Sequence, residues 1–417
     1  MITKLVVFID SAVVGHLWLD EKKFFCFQYH ENWLQTSAIP LSLSLPLRSE
    51  PYVADESHAF FANLLPEQKI RQVIARNLGV SPHNDFGLLE KIGGDCAGAV
   101  SLYPDGVQST AEMTYTAVST QELAHIIKEL PQKPFLAGES GFRLSLAGVQ
   151  NKLPVFYSEG QFALPQGGAP SNTIIKPPIE TLDGTVENEA FCMALASAIG
   201  LPVPNSFIHD LDDSRIFAIE RYDRAESEDG LKRVHQEDFC QAMGTLPEYK
   251  YEHEGGPSFA QCVALLRQIS TKPGKDVMSL LDWLIFNFLI GNSDAHGKNI
   301  SFLLLPQGPA LAPFYDLLST RIYAHYGLTS DMAMKIGSEV DPDKVTKKNW
   351  EALAEDIQIS PRYVVPRVVL IANKIESVRL QLFTEKFAPY KSDCLYRLNQ
   401  FIFESCEMTI KRLSSGE

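Results

Sequence analysis

The sequence predicts an α+β fold that is β-rich at the N-terminus, mixed in the middle and mostly helical towards the C-terminus. Three observations carry that prediction. Residues 1 to about 50 alternate short β-branched and aromatic runs with turns. Between Arg143 and Glu220, strand-like runs flank a single helical stretch. Beyond about residue 232, apolar positions fall at helical spacing, interrupted by one strand–turn–strand pattern over 300–315.

Taken in order, the N-terminal strands are expected at Leu5 to Ile9, Val13 to Leu19, Phe24 to Tyr29 and Leu41 to Leu47. Residues 58 to 78 read as helical: His58 to Leu65 and, after Pro66, Gln68 to Leu78. Ile92 to Tyr103 is a Gly-rich turn running into a strand. A phosphate cradle of that kind would lead into a helix, so a tight turn is the better reading. Residues 130 to 143, with Pro131, Pro134, Gly138 and Gly141, read as a linker marking a boundary. Arg143 to Lys152 is a small-residue turn feeding the strand Leu153 to Tyr157. Thr173 to Lys176 is a second strand, halted by Pro177 and Pro178. Glu187 to Ile199 is an amphipathic helix with Phe191, Leu195 and Ile199 on one face, stopped by Gly200. Strands follow near Ser206 to His209 and Ile216 to Glu220, then the polar segment Arg221 to Gly230. The expected parts are 1–130, 131–225 and 226–417.

Composition narrows the class. Lys and Arg number 37 against 51 Asp and Glu, a net charge of −14 over 417 residues, which disfavours nucleic-acid binding by the bulk surface. An apolar share of 45% with 21% charged residues is that of a soluble globular protein with ample core. The seven cysteines form no C-x-x-C pair and are odd in number, which points to a reducing cytoplasm and away from zinc or disulfides. The N-terminus reads as a first strand and not as a signal peptide. The apolar run Leu280 to Ile290 is too short to span a bilayer, so no membrane association is expected.

The most informative stretch follows that run: Gly291-Asn292-Ser293-Asp294-Ala295-His296-Gly297-Lys298-Asn299. Asn299 lies five positions after Asp294, the D-x-x-x-x-N separation of the protein-kinase catalytic loop. A carboxylate there receives the proton of an attacking hydroxyl, and an amide oxygen holds Mg²⁺ one loop-width away. Alone, the pattern is equally that of a solvated turn capping a buried helix. A second acid tilts the balance. Asn299 leads through Ile300 to Leu305, the turn Pro306 to Pro309 and the segment Leu311 to Tyr315 to Asp316. Kinases return their second metal-binding Asp by the same layout, although here Phe314 and Tyr315 precede Asp316 and no glycine follows. Upstream, Ala147 to Lys152 joins two strands with small residues whose N–H groups can face phosphate oxygens, but it holds one glycine where a Gly-rich loop has three. Lys176 ends an apolar strand as the kinase strand lysine does, with Glu189 as its natural ion-pair candidate and Glu187 as competitor. Glu220, Arg221 and Tyr222 occupy the place of a hinge, where the backbone of Glu220 and Tyr222 can meet an adenine edge.

With these motifs go Leu43 to Leu47, Phe60 to Glu67, Gly94 to Val100, Ser145 to Lys152, Ile174 to Lys176, Glu220 to Arg224, His235 to Gln241 and Pro313 to Asp316. In that order they make the chain resemble the HipA-type serine/threonine kinases of bacterial type II toxin–antitoxin modules, from about residue 4 to about 385. The resemblance implies a protein-kinase-like, two-lobed core with an extra N-terminal β-rich subdomain. It implies Asp294 as catalytic base, Lys298 neutralising the transferring phosphoryl group, and Asn299 and Asp316 as Mg²⁺ ligands. ATP is expected on Ala147, Gly148, Val149, Gln150, Asn151, Lys152, Lys176, Glu220, Arg221, Tyr222, His296 and Tyr315. Gln236 and Asp238 match family positions near the site, and Ser145 aligns with the serine that family members autophosphorylate, ejecting the loop. Family members bind a small helix-turn-helix antitoxin of HipB type, through which operator DNA is engaged, and their substrates include aminoacyl-tRNA synthetases. The competing readings are a pseudokinase acting as co-repressor, and a kinase with a small-molecule or lipid acceptor.

Overall fold

The computed structural model describes residues 3–37, 39–107, 113–139, 142–212, 214–228 and 230–415. The chain divides into two compact units, and neither is continuous in sequence. The first comprises Met1–Pro177, His209–Glu248 and Phe302–Pro309; the second comprises Pro178–Ile208, Tyr249–Ser301 and Ala310–Glu417.

The two largest sheets fall mainly in the first unit. One runs Tyr52–Val53, Phe25–Tyr29, Ala12–Leu19, Lys4–Ile9, Val100–Pro104. Alternation in Lys4–Ile9 buries Leu5 and Val7. They share a core with Leu17, Phe27, Phe60 and Phe61, the last two on the helix Asp55–Ala62. The Phe27 and Phe61 ring centroids lie 5.6 Å apart. The second sheet runs, within this unit, Arg215–Glu220, Thr173–Lys176, Leu153–Ser158, Gln161–Gln166, Thr114–Val118. Thr114–Val118 precedes the expected boundary near 131, yet pairs with Gln161–Gln166 beyond it. The expected 300–315 hairpin forms as Ser301–Leu305 and Gly308–Leu311, and its middle, Phe302–Pro309, also belongs here. Leu304 N–H donates to the His235 carbonyl at 2.9 Å, and Phe302 stacks on Phe239 with centroids 4.2 Å apart.

Two expectations are corrected. Leu41 to Leu47 forms no strand: Ser42 bridges back to Leu45, and the Ser42 hydroxyl and Leu43 N–H both donate to the buried Glu237 carboxylate. A tight turn fastened to a carboxylate satisfies the backbone that a neighbouring strand would otherwise have paired. The expected linker at 130–143 is packed, with Pro134, Phe135 and Leu136 buried in a short 3₁₀ turn; Gly141 lies outside the described residues. Of its described Pro and Gly residues, Pro134 is buried, whereas Pro131 and Gly138 are exposed turn residues beside the packed stretch.

The second unit is mostly helical, with long helices at Thr185–Ala198, Phe259–Ile269, Pro273–Ile290, Lys347–Asp356, Pro361–Gln381 and Asp393–Ser415. Pro273–Ile290 is its central helix, with Leu280, Leu281, Trp283, Ile285, Phe286, Leu289 and Ile290 all buried. Gly291 ends it at φ 72°, and a Cβ there would meet the Phe401 ring at 2.5 Å, so both conformation and space require glycine. All seven cysteines are buried and free. Among the described residues, no helix is long and apolar enough to cross a membrane.

Candidate active site

The acid–amide loop lies in the second unit and is built outward from the end of the central helix. The Gly291 carbonyl accepts the N–H groups of Thr320 and Arg321, each at 3.0 Å. Asn292 is the pivot. Its Nδ2 donates to Asn287 Oδ1 at 2.8 Å and to the Asp316 carbonyl at 3.2 Å, while its Oδ1 accepts the Asp294 N–H at 3.1 Å. One buried amide therefore ties the backbones of both acids.

The Asp294 carbonyl accepts the His296 N–H at 2.9 Å and the Asn299 Nδ2 at 2.8 Å. Because a carbonyl can only accept, the second bond fixes the flip of the Asn299 amide and leaves Oδ1 as its oxygen for a cation. Tyr315 donates its hydroxyl to the Lys298 carbonyl at 2.7 Å and pairs with the Ser301 hydroxyl at 2.7 Å. Asp316 sits at φ 53°, a left-handed conformation that Asp tolerates better than most side chains and that recurs at functional sites. The Asp294 side chain is 39% exposed, whereas His296, Lys298 and Asn299 are buried. Its Oδ1 accepts the Tyr251 hydroxyl at 2.5 Å and lies 3.6 Å from His296 Nε2.

The oxygen donors of Asn299 and Asp316 suit a hard divalent cation such as Mg²⁺, which is commonly held by one or two carboxylates together with substrate phosphates. No cluster of three or more His, Cys, Asp or Glu forms a self-sufficient metal site among the described residues. Glu189 and Glu187 are both buried on the helix Thr185–Ala198 of this unit.

The first unit carries the remaining residues. Ser145 is fully buried; its N–H donates to the Asp95 carbonyl at 2.9 Å and its hydroxyl to the Leu64 carbonyl at 2.7 Å. From there Ala147 to Lys152 is stitched to Pro66 and Glu67, the Gly148 carbonyl accepting the Glu67 N–H at 3.2 Å. Gly148 has φ 111°, and Lys152 folds back so that its Nζ donates to the Ala147 carbonyl at 2.8 Å. Val149 is exposed, Gln150 Nε2 donates to the Pro177 carbonyl at 3.3 Å, and Asn151 is half-buried. Lys176 is buried at the end of its strand, its Nζ 5.8 Å from the Phe217 ring centroid.

The expected hinge looks different in detail. Glu220 is exposed, but Arg221 is buried with its backbone N–H already given to the Asn172 carbonyl at 2.8 Å. Its guanidinium grips Asp223 through Nε at 2.9 Å and Nη2 at 2.7 Å, and Nη1 donates to Ser171 at 3.0 Å. Arg224 joins Asp223 at 3.1 Å and Arg233 joins Asp95 at 3.0 Å, so three guanidiniums and two carboxylates share one buried cluster. Burial alone would raise the Asp223 carboxyl, but Arg221 and Arg224 carry it well below the usual carboxylate range. Arg221 is thus a structural member of this cluster, its N–H and guanidinium already engaged, contrary to the expectation that it contacts a nucleotide. Tyr222 donates its hydroxyl to Gln236 Oε1. Asp238 caps the short helix Phe239–Ala242 by accepting the Gln241 N–H at 2.8 Å. Sequence reasoning singled out neither Asn292 nor Tyr251 nor the Arg–Asp pairing; Asn292, Asp95 and Arg221 to Arg224 lay inside quoted motifs, whereas Tyr251 lay in none.

Comparison with known proteins follows the same ground. A model of the HipA-like C-terminal domain matches residues 144–379, and one of the HipA N-terminal domain matches residues 5–103. The candidate kinase Y4mE of Sinorhizobium fredii is 44% identical over 382 residues, covering 90% of each chain. The serine/threonine-protein kinase toxin HipA of Shewanella oneidensis is 32% identical over 385 residues, covering 89% of this chain and 87% of that one. Among solved structures, the Shewanella oneidensis complex of HipA, HipB and operator DNA matches with TM-score 0.85 at 28% identity, covering 99% of this chain and 98% of that one.

Proposed function

The chain belongs to the HipA family, and from that premise we propose that it is a serine/threonine-protein kinase toxin that transfers the ATP γ-phosphoryl group to a protein hydroxyl. One observation carries the reading: a half-exposed carboxylate, Asp294, stands in a buried loop whose Asn292 ties it to Asp316 and whose Asn299 amide is locked by the Asp294 carbonyl. Asp294 accepts the proton of the attacking hydroxyl, and Lys298 offsets charge on the transferring group. Asn299 and Asp316 would hold Mg²⁺, which when bound neutralises phosphate charge. Ala147 to Lys152 and Lys176 bind the phosphates of ATP, and Glu220 and Tyr222 flank the adenine; Glu189, Gln236 and Asp238 support the site from their own positions.

Ser145 is the proposed autophosphorylation site. Its hydroxyl is sealed against Leu64, so modification requires the segment to leave its seat, and a phosphoserine would not fit back. That supports a self-silencing role. The complex of the Shewanella relative supports a HipB-type antitoxin as partner, and a net charge of −14 favours operator contact mainly through it. An aminoacyl-tRNA synthetase is the proposed class of substrate.

The test is incubation with [γ-³²P]ATP, Mg²⁺ and a lysate freed of endogenous kinase activity, followed by identification of the labelled species. Label on protein serine or threonine supports the reading. Label confined to small molecules or lipids, or none above an Asp294→Ala control, rejects it.

A further inference from the structure

Tyr251 stands 43 residues before Asp294 in the chain, yet its phenol O–H donates to Asp294 Oδ1 at 2.5 Å. That is the short end of the range for an O–H···O⁻ bond, the strong, charge-assisted kind. The Tyr251 ring meets the His296 imidazole edge to face, with centroids 5.2 Å apart and planes at 78°. His253 lies 5.7 Å away on its other contact, and the Lys250 ammonium is 5.5 Å from the ring centroid.

The bond is braced at both ends by one stretch of chain. Glu252, next to Tyr251, donates its N–H to the Ala333 carbonyl at 3.1 Å, and its carboxylate accepts the Lys335 N–H at 2.8 Å. Beside Asp294, the Ser293 hydroxyl donates to the Ser330 carbonyl at 3.0 Å. Residues 330–335 therefore fasten the donor and the acceptor of the Tyr251–Asp294 bond to a common support.

Resting on the reading of Asp294 as proton acceptor, we infer that Tyr251 is a positioning residue for phosphoryl transfer, its hydroxyl holding Asp294 Oδ1 so that Oδ2 meets the acceptor hydroxyl. An Asp carboxylate has a broad, nearly two-fold χ2 and no intrinsic preference for which oxygen it presents. A short bond to one oxygen removes that freedom. The proton of the acceptor hydroxyl then passes to Oδ2 as its oxygen bonds to the γ-phosphorus. The bond from that phosphorus to the β,γ-bridging oxygen breaks, and ADP leaves. Tyr251 keeps its own proton throughout.

The test is single-turnover transfer of ³²P from [γ-³²P]ATP with Mg²⁺ into the full-length protein, titrated in ATP. Tyr251→Phe keeps the ring contacts and removes only the hydroxyl. It is expected to lower the maximum rate roughly 10-fold or more and to leave half-saturating ATP within about twofold. Tyr251→Leu, which also removes the ring, should add little further loss. A wild-type rate for Tyr251→Phe, impairment in Tyr251→Leu alone, or a loss explained by weaker ATP binding would each overturn the inference. Asp294→Ala run alongside separates the levels. If it transfers phosphate as the wild type does, the underlying reading fails; if it is dead while Tyr251→Phe is normal, only the role of Tyr251 fails.

Discussion

Replacing Asp223 with alanine takes away a carboxylate that four donors share. It accepts from Arg221 at 2.9 and 2.7 Å, from the Gly98 N–H at 2.7 Å and from Arg224 at 3.1 Å. The Arg221 and Arg224 side chains are each 2% exposed, so bulk water cannot replace the lost partner. Asp95 would be the one carboxylate left in the cluster for three guanidiniums, 4.0 Å from Arg221 and 3.5 Å from Arg224, their other acceptors being uncharged. Removing one partner from a buried ion pair typically costs about 3–5 kcal/mol. For a unit of roughly 200 residues each kcal/mol lowers Tm by about 2–4 °C, which places the expected drop at roughly 6–20 °C. Thermal unfolding of the full-length protein followed by tryptophan fluorescence measures it, and Asp223→Asn, which keeps one acceptor oxygen, should fall in between. The pH dependence has a definite sign. A carboxyl held below its unfolded value stabilises the fold above the ordinary Asp range, so the deficit of the variant should be full above about pH 4 and shrink only below it. A Tm drop under about 2 °C, or a deficit that grows as the pH falls, refutes the reasoning.

Glu237 gives the opposite sign: burial pushes its carboxyl up to about 8, partly offset by the Ser42 hydroxyl and Leu43 N–H. Its stabilising contribution is complete below the unfolded Glu value and is lost as pH rises towards 8, so Glu237→Gln should gain on the wild type between pH 5 and 8, by up to about 1.4 kcal/mol per pH unit; denaturant melts across that range check it, and a flat difference rejects it. Asn292→Ala frees the backbones of Asp294 and Asp316 and should cut the phosphoryl-transfer rate roughly 10-fold or more, at about 1–3 kcal/mol of stability; a wild-type rate in folded protein counts against the pivot. Gly148→Ala puts a Cβ 2.7 Å from Lys152 Nζ at φ 111°. It should weaken Mg·ATP binding, read by calorimetry, by roughly 10-fold through about 1–3 kcal/mol of strain; unchanged affinity would show that this glycine and Lys152 do not shape the nucleotide site.

Much of the architecture was legible because it rests on local periodicity. The strand Thr173–Lys176 was expected with those bounds, and Thr185–Ala198 was expected to within two residues at its start. What escaped had weak or unusual signals. Thr114–Val118 is 5 residues long and largely exposed, so it marks no buried face, and Asp85–Ile92 is only 8 residues long. Thr120–Glu129 was findable, since Ser119 and Glu122 form a capping box visible in the sequence. Within the site, the D-x-x-x-x-N spacing marked a loop because its hydrogen bonds close within six residues, Asn299 onto Asp294. Tyr251, at 43 residues' separation, and Asp95, paired with Arg224 and Arg233 from far along the chain, have no spacing to betray them. The hinge expectation for Arg221 went astray for the same reason: its partners Asn172 and Ser171 lie some fifty residues upstream.

The central claim is that Asp294, Asn299 and Asp316 form a centre that moves phosphate from ATP to protein. The most direct measurement is intact-protein and peptide mass spectrometry of phosphatase-treated wild type and Asp294→Ala after incubation with ATP and Mg²⁺. The account predicts that the wild type gains phosphate on a serine or threonine, dominantly Ser145, and that Asp294→Ala gains essentially none, a loss of about 10²–10⁴-fold in rate. Equal phosphate uptake by both proteins, or none by the wild type, would contradict it.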